Sequence, residues 1–171
     1  MRIALQAGVA DETQTPEAPP RPDEARANVI RLAFGGSEEK FDHFVRLIRE
    51  ETPPGTGAVL RGSAVTGRRW RDGAPFDADG PGTSDLDLTL IGDQAVGLFG
   101  VTTFFVPGVH SRPMSDDEPD LAPALQALRE GLTVMTGRPV NVQASREIVI
   151  RLRGDVLGQP YLTLIEREEG A

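Results

Sequence analysis

Apolar residues recur every three or four positions in three segments of the chain, a spacing that places them on one face of a helix. The first predicted helix covers residues 23–34. The second begins after Ser37, a residue type that caps helices, and ends before Pro53. The third begins near residue 121 and is ended by Gly137. The residues of the three apolar faces are Ala25, Val29, Leu32 and Ala33; Phe41, Phe44, Val45 and Ile48; and Leu121, Leu125, Leu128, Leu132 and Met135.

Short apolar runs between these segments are bounded by Gly, Pro and Asp, the pattern of β-strands. Strands are predicted at 57–60, 85–91 and 140–144, and residues 147–152 are expected to pair with 161–165 as a hairpin. Helices and strands that follow one another in this order predict an α/β (α+β) fold, in which a small mixed β-sheet is backed by helices.

The composition is that of one folded domain. The chain has 171 residues, of which 39% are hydrophobic, and this is enough for a substantial core. Residues 1–22 are predicted to form a flexible N-terminal arm, because the stretch 11–22 carries four prolines among acidic and small polar residues. Residues 23–171 are then the folded domain.

The charge and the cysteine content exclude some functions. A formal net charge of −8 argues against a broad nucleic-acid-binding surface, which requires basic residues to displace counterions. The absence of cysteine excludes disulfides and cysteine-ligated zinc. The sequence also lacks an apolar run long enough to cross a bilayer, and its first ten residues lack the pattern of a signal peptide. We therefore expect a cytoplasmic protein with no membrane partner.

The segment Ser-Asp-Leu-Asp-Leu-Thr-Leu at 84–90 carries the clearest candidate chemistry. Side chains alternate across a strand, so Asp85 and Asp87 are expected to project from one face and the leucines from the other. A divalent metal ion is the commonest partner of two such carboxylates. Gly62-Ser63 ends the preceding predicted strand, and a turn of this kind is suited to hold the phosphates that such a metal would bind.

Together these residues resemble the nucleotidyltransferases of the DNA polymerase beta superfamily. That family carries a Gly-Ser turn after its first core strand and an acidic-apolar-acidic triplet on its second, and the resemblance covers residues 57–92. It implies a nucleotidyltransferase-like core that transfers a nucleotidyl group from a nucleoside triphosphate to a hydroxyl acceptor, with Mg²⁺ or Mn²⁺ as cofactor. The acceptor stays open among a second nucleotide, a small molecule, an RNA end and a protein hydroxyl. The closing helix, strand and hairpin most resemble the branch that includes oligoadenylate synthases and bacterial cyclic-dinucleotide synthases.

The resemblance also implies roles for particular residues. Asp85 and Asp87 match the catalytic carboxylates that hold the metal ions of the family. Trp70, in the loop after the turn, either stacks on a base or anchors the loop against the core. The substrate-binding residues that the resemblance implies, all as phosphate contacts, are Gly62, Ser63, Arg68 and Arg69.

Two features depart from the family pattern. The connection from the Gly-Ser turn to the first aspartate, residues 64–84, is longer than in the family. A third carboxylate is expected on a later strand, but the candidate positions hold Asn141 or Thr163. Glu147 and Glu166 are nearby acidic residues that are able to substitute. The alternative prediction is therefore a catalytically inactive module of the same fold, which binds a nucleotide or a protein partner.

Other residue types that often carry chemistry give weaker signals here. His43 is predicted on the exposed side of a helix and His110 in a loop, and two isolated histidines make no metal site. Arg153-Gly154-Asp155 is interpreted as the turn of the predicted hairpin. Asp77 begins a segment that only weakly resembles a calcium loop, because no Glu follows at the closing position.

Overall fold

The structure, a computed structural model, describes residues 18–167. Its helices are α1 (Pro22–Ala33), α2 (Glu38–Glu51), α3 (Ser63–Thr66), α4 (Asp93–Val96), α5 (Gln126–Thr136) and α6 (Glu147–Arg151). Its strands are β1 (Gly57–Arg61), β2 (Leu86–Ile91), β3 (Phe104–Val106), β4 (His110–Ser111), β5 (Val140–Ser145) and β6 (Tyr161–Ile165). A 3₁₀ turn at Pro123–Leu125 precedes α5, and a π-helical turn at Leu152–Val156 continues α6. Most of the predicted N-terminal arm, 1–22, lies outside the described residues.

Helices α1 and α2 lie where the apolar spacing predicts them, whereas α5 begins at Gln126, after a 3₁₀ turn, and not near residue 121 as predicted. Ser37 caps α2, because its hydroxyl accepts a hydrogen bond of 3.2 Å from the amide of Lys40. Gly137 ends α5 in the left-handed conformation, with φ 65°. Across residues 18–167, no helix combines the length and the apolar character that crossing a bilayer requires.

The six strands form one mixed sheet in the order β3-β4-β5-β2-β1-β6. The central pair, β2 and β5, is parallel, whereas the other neighbouring strands are antiparallel. This arrangement confirms the predicted α+β class and the mixed sheet backed by helices. It places the two strands that flank β2, namely β1 and β5, beside the acidic segment.

The two faces of the sheet differ in composition. On one face, leucines such as Leu60 and Leu88 are fully buried and share one core with the apolar faces of α1, α2 and α5. Alternation along each strand turns polar residues to the opposite face. These polar residues are Arg61 on β1, Asp87 and Thr89 on β2, and Asn141 and Gln143 on β5. The fold therefore lines the second face of the sheet with polar side chains.

The predicted hairpin between 147–152 and 161–165 is wrong. Residues 147–151 form α6, and β6 pairs with β1 instead. The β-branched run at 148–150 favours a strand, but only Ile150 is buried, against Val59 and Ile91. A short helix satisfies this single contact, and Glu147 supports it by accepting a 2.8 Å hydrogen bond from Nε of Arg151 one turn later. As a result α6 covers the part of the polar face farthest from Asp87.

Candidate functional site

Asp87 lies at the start of β2 and Asp85 immediately precedes that strand, both on the polar face of the sheet. Leu86, between them, is fully buried in the core, which fixes both carboxylates on the opposite side. Asp85 is exposed and Asp87 is half-buried. Both accept a hydrogen bond from the same side-chain amide, that of Asn141, so the two carboxylates share one site.

The Gly62-Ser63 turn runs directly against this site. It follows β1, which pairs with β2 so that Arg61 lies opposite Asp87. Gly62 has φ 80° and ψ −156°, a conformation that glycine alone adopts readily. A Cβ at this position would lie 2.7 Å from Oδ2 of Asp87. Glycine is therefore required here both by the backbone conformation and by the approach of the carboxylate.

Two cavities open on either side of this contact. The larger, of about 410 Å³, is lined by Ser63, Asp85 and Asn141 among others. The smaller, of about 220 Å³, is lined by Gly62 and Asp87 among others. The turn and the two carboxylates therefore lie between two neighbouring cavities. We call the larger cavity, together with the two carboxylates that Asn141 bridges, the acidic cleft.

Asn141 is the one of the two candidate positions for a third carboxylate that lies beside Asp85 and Asp87. Its strand, β5, is the parallel neighbour of β2, and it pairs with Asp87 in the register of the two strands. Nδ2 of Asn141 donates to Oδ2 of Asp85 at 2.6 Å and to Oδ1 of Asp87 at 3.2 Å. The other position that the sequence left open, Thr163, lies on β6 opposite Val59, on the far side of β1 from the acidic cleft. The third side chain of the cleft is thus an amide.

Glu147 and Glu166, the two residues that could substitute for a third carboxylate, lie outside the acidic cleft. Glu147 accepts hydrogen bonds from Arg151 and Arg167. It lines, together with Glu166, a separate cavity beneath α6 that the acidic cleft does not share. Among residues 18–167, no three His, Cys, Asp or Glu side chains are grouped so that they could hold a metal ion. Neither glutamate therefore supplies the third carboxylate.

The electrostatic environment of Asp87 favours a positive partner. Burial raises the pKa of this carboxyl above its usual range, and the charge of Asp85 raises it further. The hydrogen bond from Asn141 and the guanidinium of Arg61 offset part of the increase. A proton or a cation beside Asp87 would relieve the remaining repulsion between the two carboxylates.

The donor set fits a hard divalent cation. Mg²⁺ and Mn²⁺ prefer oxygen ligands, including carboxylates and the carbonyl oxygen of asparagine. Asp85 and Asp87 provide carboxylate oxygens, and rotation of the Asn141 amide would present Oδ1 in place of Nδ2. One cation therefore finds three oxygen-bearing side chains in the acidic cleft, although the third carries no charge.

Arg68 and Arg69, in the loop that follows the turn, line different cavities. Arg69 lines the larger cavity, but its guanidinium pairs with two loop carboxylates, the closer being Asp79 at 2.5 Å. Arg68 lines the smaller cavity, and its Nη1 donates to a loop carbonyl at 3.2 Å. Trp70 lines the same smaller cavity and is 79% exposed, so it does not anchor the loop against the core.

The long connection between the turn and Asp85 is held by a buried cation. Arg138 donates to both carboxylate oxygens of Asp77, at 2.9 and 3.1 Å, and also to the carbonyl of Ser84 at 2.9 Å. Asp77 in turn accepts from the amides of Gly82 and Ser84. These bonds lower the pKa of Asp77 to about 2, against the effect of its burial. The extra loop length therefore leaves the residue before Asp85 fixed in place.

Two residues near the acidic cleft lie in elements other than those that the sequence predicts for them. Arg153 was expected in a hairpin turn, yet it lies in the π-helical turn and lines the smaller cavity. His110 was expected in a loop, yet it is a buried residue of β4 whose Nε2 lies 3.4 Å from Nη1 of Arg153. No local pattern indicates this contact, because the two residues are brought together only by the sheet order.

Three kinds of comparison with known proteins were made. No protein-family model, curated protein or solved structure matches the chain.

Proposed function

We propose that the protein is a metal-dependent nucleotidyltransferase that binds a nucleoside triphosphate in the acidic cleft and transfers its nucleotidyl group to a hydroxyl acceptor. The observation that supports this proposal is the contact between the Gly62 turn and a pair of carboxylates on the adjacent strand. Asp85 and Asp87 repel each other, and the raised pKa of Asp87 is the kind of perturbation that concentrates at functional sites.

Each part of the acidic cleft has a task in this proposal. Asp85 and Asp87 hold the cation, which when bound neutralises charge on the transferring phosphoryl group. The Gly62 turn lets the backbone approach the phosphates closely, and the Ser63 hydroxyl and amide bind them. In the transfer, the acceptor hydroxyl oxygen forms a bond to the α-phosphorus and loses its proton to solvent. The bond from phosphorus to the bridging oxygen breaks, and pyrophosphate leaves with that electron pair.

A second candidate function is favoured by one observation, the identity of Asn141. Its amide donates to both carboxylates and occupies the place of a third acid. A neutral ligand binds a second cation weakly, and the acceptor hydroxyl is then poorly activated. This points to a module that keeps nucleotide binding and has lost the transfer reaction, with a role in sensing a nucleotide or in binding a protein partner.

Asp87→Asn separates these possibilities. The variant keeps the size of the side chain and removes its charge, and Asp93→Asn is the matched control, because Asp93 is an exposed aspartate beyond the other end of β2. Binding of each nucleoside triphosphate is measured by calorimetry in EDTA and in Mg²⁺ or Mn²⁺. Nucleotidyl transfer is measured by resolving the products formed from labelled triphosphates.

The three outcomes differ clearly. Binding that the metal strengthens, together with transfer that Asp87→Asn abolishes and Asp93→Asn retains, supports the enzyme. Metal-dependent binding without transfer supports the second candidate. Equal affinity with and without metal, or equal behaviour of the two variants, contradicts both.

A further inference from the structure

The smaller cavity, of about 220 Å³, has a chemistry of its own. Besides Gly62 and Asp87, its lining includes three arginines, Arg61, Arg68 and Arg153. We call it the arginine cavity. Its volume is below the roughly 300–1,000 Å³ of sites that enclose a whole drug-sized ligand. A site of this size suits a small anionic group or one end of a larger molecule.

Arg61 brings a buried positive charge to the arginine cavity. It ends β1, and its Nε donates to the Thr89 hydroxyl at 3.2 Å. Burial lowers the pKa of Arg61 to about 10, and the charge of Arg153 contributes to this decrease. Arg61 therefore stays protonated at neutral pH, although the site disfavours its charge. Within residues 18–167, no carboxylate forms an ion pair with it.

Arg153 is the second arginine of this cavity that forms no ion pair with a carboxylate among the described residues. Its Nε donates to the side-chain oxygen of Gln159 at 2.8 Å, and its Nη1 faces Nε2 of His110 at 3.4 Å. Burial lowers the pKa of His110 to about 4, and the charges of Arg153 and Arg61 lower it as well. The histidine is therefore neutral at pH 7, and its lone pair accepts from the arginine without balancing its charge.

Two half-buried cations that face one cavity without a dedicated carboxylate partner are unfavourable unless an anion completes the site. Asp87 is the one acidic residue in the lining. Burial and Asp85 raise its pKa by more than the charges of Arg61 and Arg153 lower it, so one carboxylate is left to balance two guanidinium groups. Guanidinium groups bind phosphate oxygens through two parallel hydrogen bonds, which makes arginine the usual residue for phosphate recognition.

We propose that the arginine cavity is a phosphate-binding site that Arg61 and Arg153 form without a metal ion. Its ligand is a phosphate group, either of a nucleotide or of inorganic pyrophosphate. Trp70 lies at the rim and is largely exposed, so a nucleotide held by its phosphate can place its base against the indole. The site adjoins the proposed catalytic cleft through Gly62, but its binding chemistry does not depend on the proposed function.

The single tryptophan of the chain provides the assay. Because Trp70 is the one indole present and lines the arginine cavity, its fluorescence reports occupancy directly. Pyrophosphate is titrated into the protein in EDTA at low salt. We expect a saturable change in emission for the wild type, and an affinity that falls as ionic strength rises.

Three variants test the assignment. Arg153→Gln is expected to weaken pyrophosphate binding by about tenfold or more, the effect of one lost charge-assisted hydrogen bond. Arg49→Gln, which removes an exposed arginine from α2, is the matched control and should bind as the wild type does. Asp93→Asn removes an exposed carboxylate outside the arginine cavity and should retain metal-free binding. Circular dichroism and urea unfolding establish that each variant is folded.

Calorimetry with Trp70→Ala distinguishes the two sources of phosphate. Weaker binding of a nucleoside monophosphate with unchanged binding of pyrophosphate identifies a nucleotide site, and unchanged binding of both identifies an inorganic site. The proposal is overturned if the wild type shows no saturable response to pyrophosphate in EDTA, or if Arg153→Gln binds as tightly as Arg49→Gln. Failure of the proposed function would instead appear as triphosphate binding that Mg²⁺ does not change.

Discussion

Asn141→Asp is the most informative change that the acidic cleft allows. The substitution keeps the shape of the side chain, removes the donor that bridges Asp85 and Asp87, and adds a third carboxylate beside them. The two hydrogen bonds that are lost, of 2.6 and 3.2 Å, both go to charged acceptors. Bonds of this class contribute about 1.5–3 kcal/mol each when well enclosed, and less where water screens them.

We therefore expect Asn141→Asp to lower the free energy of unfolding by about 2–4 kcal/mol in EDTA at neutral pH. This is less than the full value of two such bonds, because Asp85 is exposed and water screens its hydrogen bond. In the presence of Mg²⁺ or Mn²⁺ this difference in stability should become smaller. A cation that binds the native state at a hundredfold its dissociation constant adds about 2.7 kcal/mol to the free energy of unfolding. Three carboxylates should bind it more tightly than two, so the variant should gain more from the metal than the wild type does.

Urea unfolding, monitored by circular dichroism in EDTA and over a series of metal concentrations, measures both effects. Asn141→Ala is the control, because it removes the same hydrogen bonds without adding charge. Nucleotidyl transfer by Asn141→Asp, measured with labelled triphosphates, should exceed that of the wild type. The reasoning is refuted if Asn141→Asp is as stable as the wild type without metal, or if the metal stabilises all three proteins equally.

Two further changes test the description of the cleft. Gly62→Ala should lower the free energy of unfolding by more than Gly67→Ala. Both glycines have a positive φ, which costs alanine about 1–3 kcal/mol. Only Gly62 combines it with a ψ of −156°, and only there does a Cβ meet a carboxylate oxygen. Equal losses in urea unfolding would contradict this. His110→Phe tests the pH dependence of stability: a folded-state pKa of about 4 lies below the ordinary 6.5, so the unfolded state takes up the proton first. The free energy of unfolding of the wild type should fall by about 3 kcal/mol between pH 7 and pH 4 because of His110, and the variant should lack this decrease. Parallel pH profiles of the two proteins would show that the pKa of His110 is not lowered.

The parts of the fold that the sequence predicts correctly are those governed by neighbouring residues. The apolar face of α2, its cap at Ser37 and the end of α5 at Gly137 all follow from patterns a few positions long. Alternation along β2 likewise places Asp85 and Asp87 on one side of the sheet without any knowledge of the partner strands.

The parts that the sequence could not predict depend on which strands are neighbours. The choice between Asn141 and Thr163 as the third residue of the cleft turns on the position of β5 beside β2, which no local pattern specifies. The β-branched residues of segment 147–152 favour a strand, whereas tertiary packing buries only Ile150 of the β-branched run, and the segment forms a helix. The contact of His110 with Arg153 is a further consequence of that same sheet order.

The position of β6 has a consequence for how the molecule forms during synthesis. β1 pairs on one side with β2, which follows it closely, and on the other side with β6, which leaves the ribosome about a hundred residues later. During that interval β1 presents an open edge, and such edges readily pair with strands of other chains. The strand that leads into the Gly62 turn is thus open to pairing with strands of other chains until β6 has been synthesised.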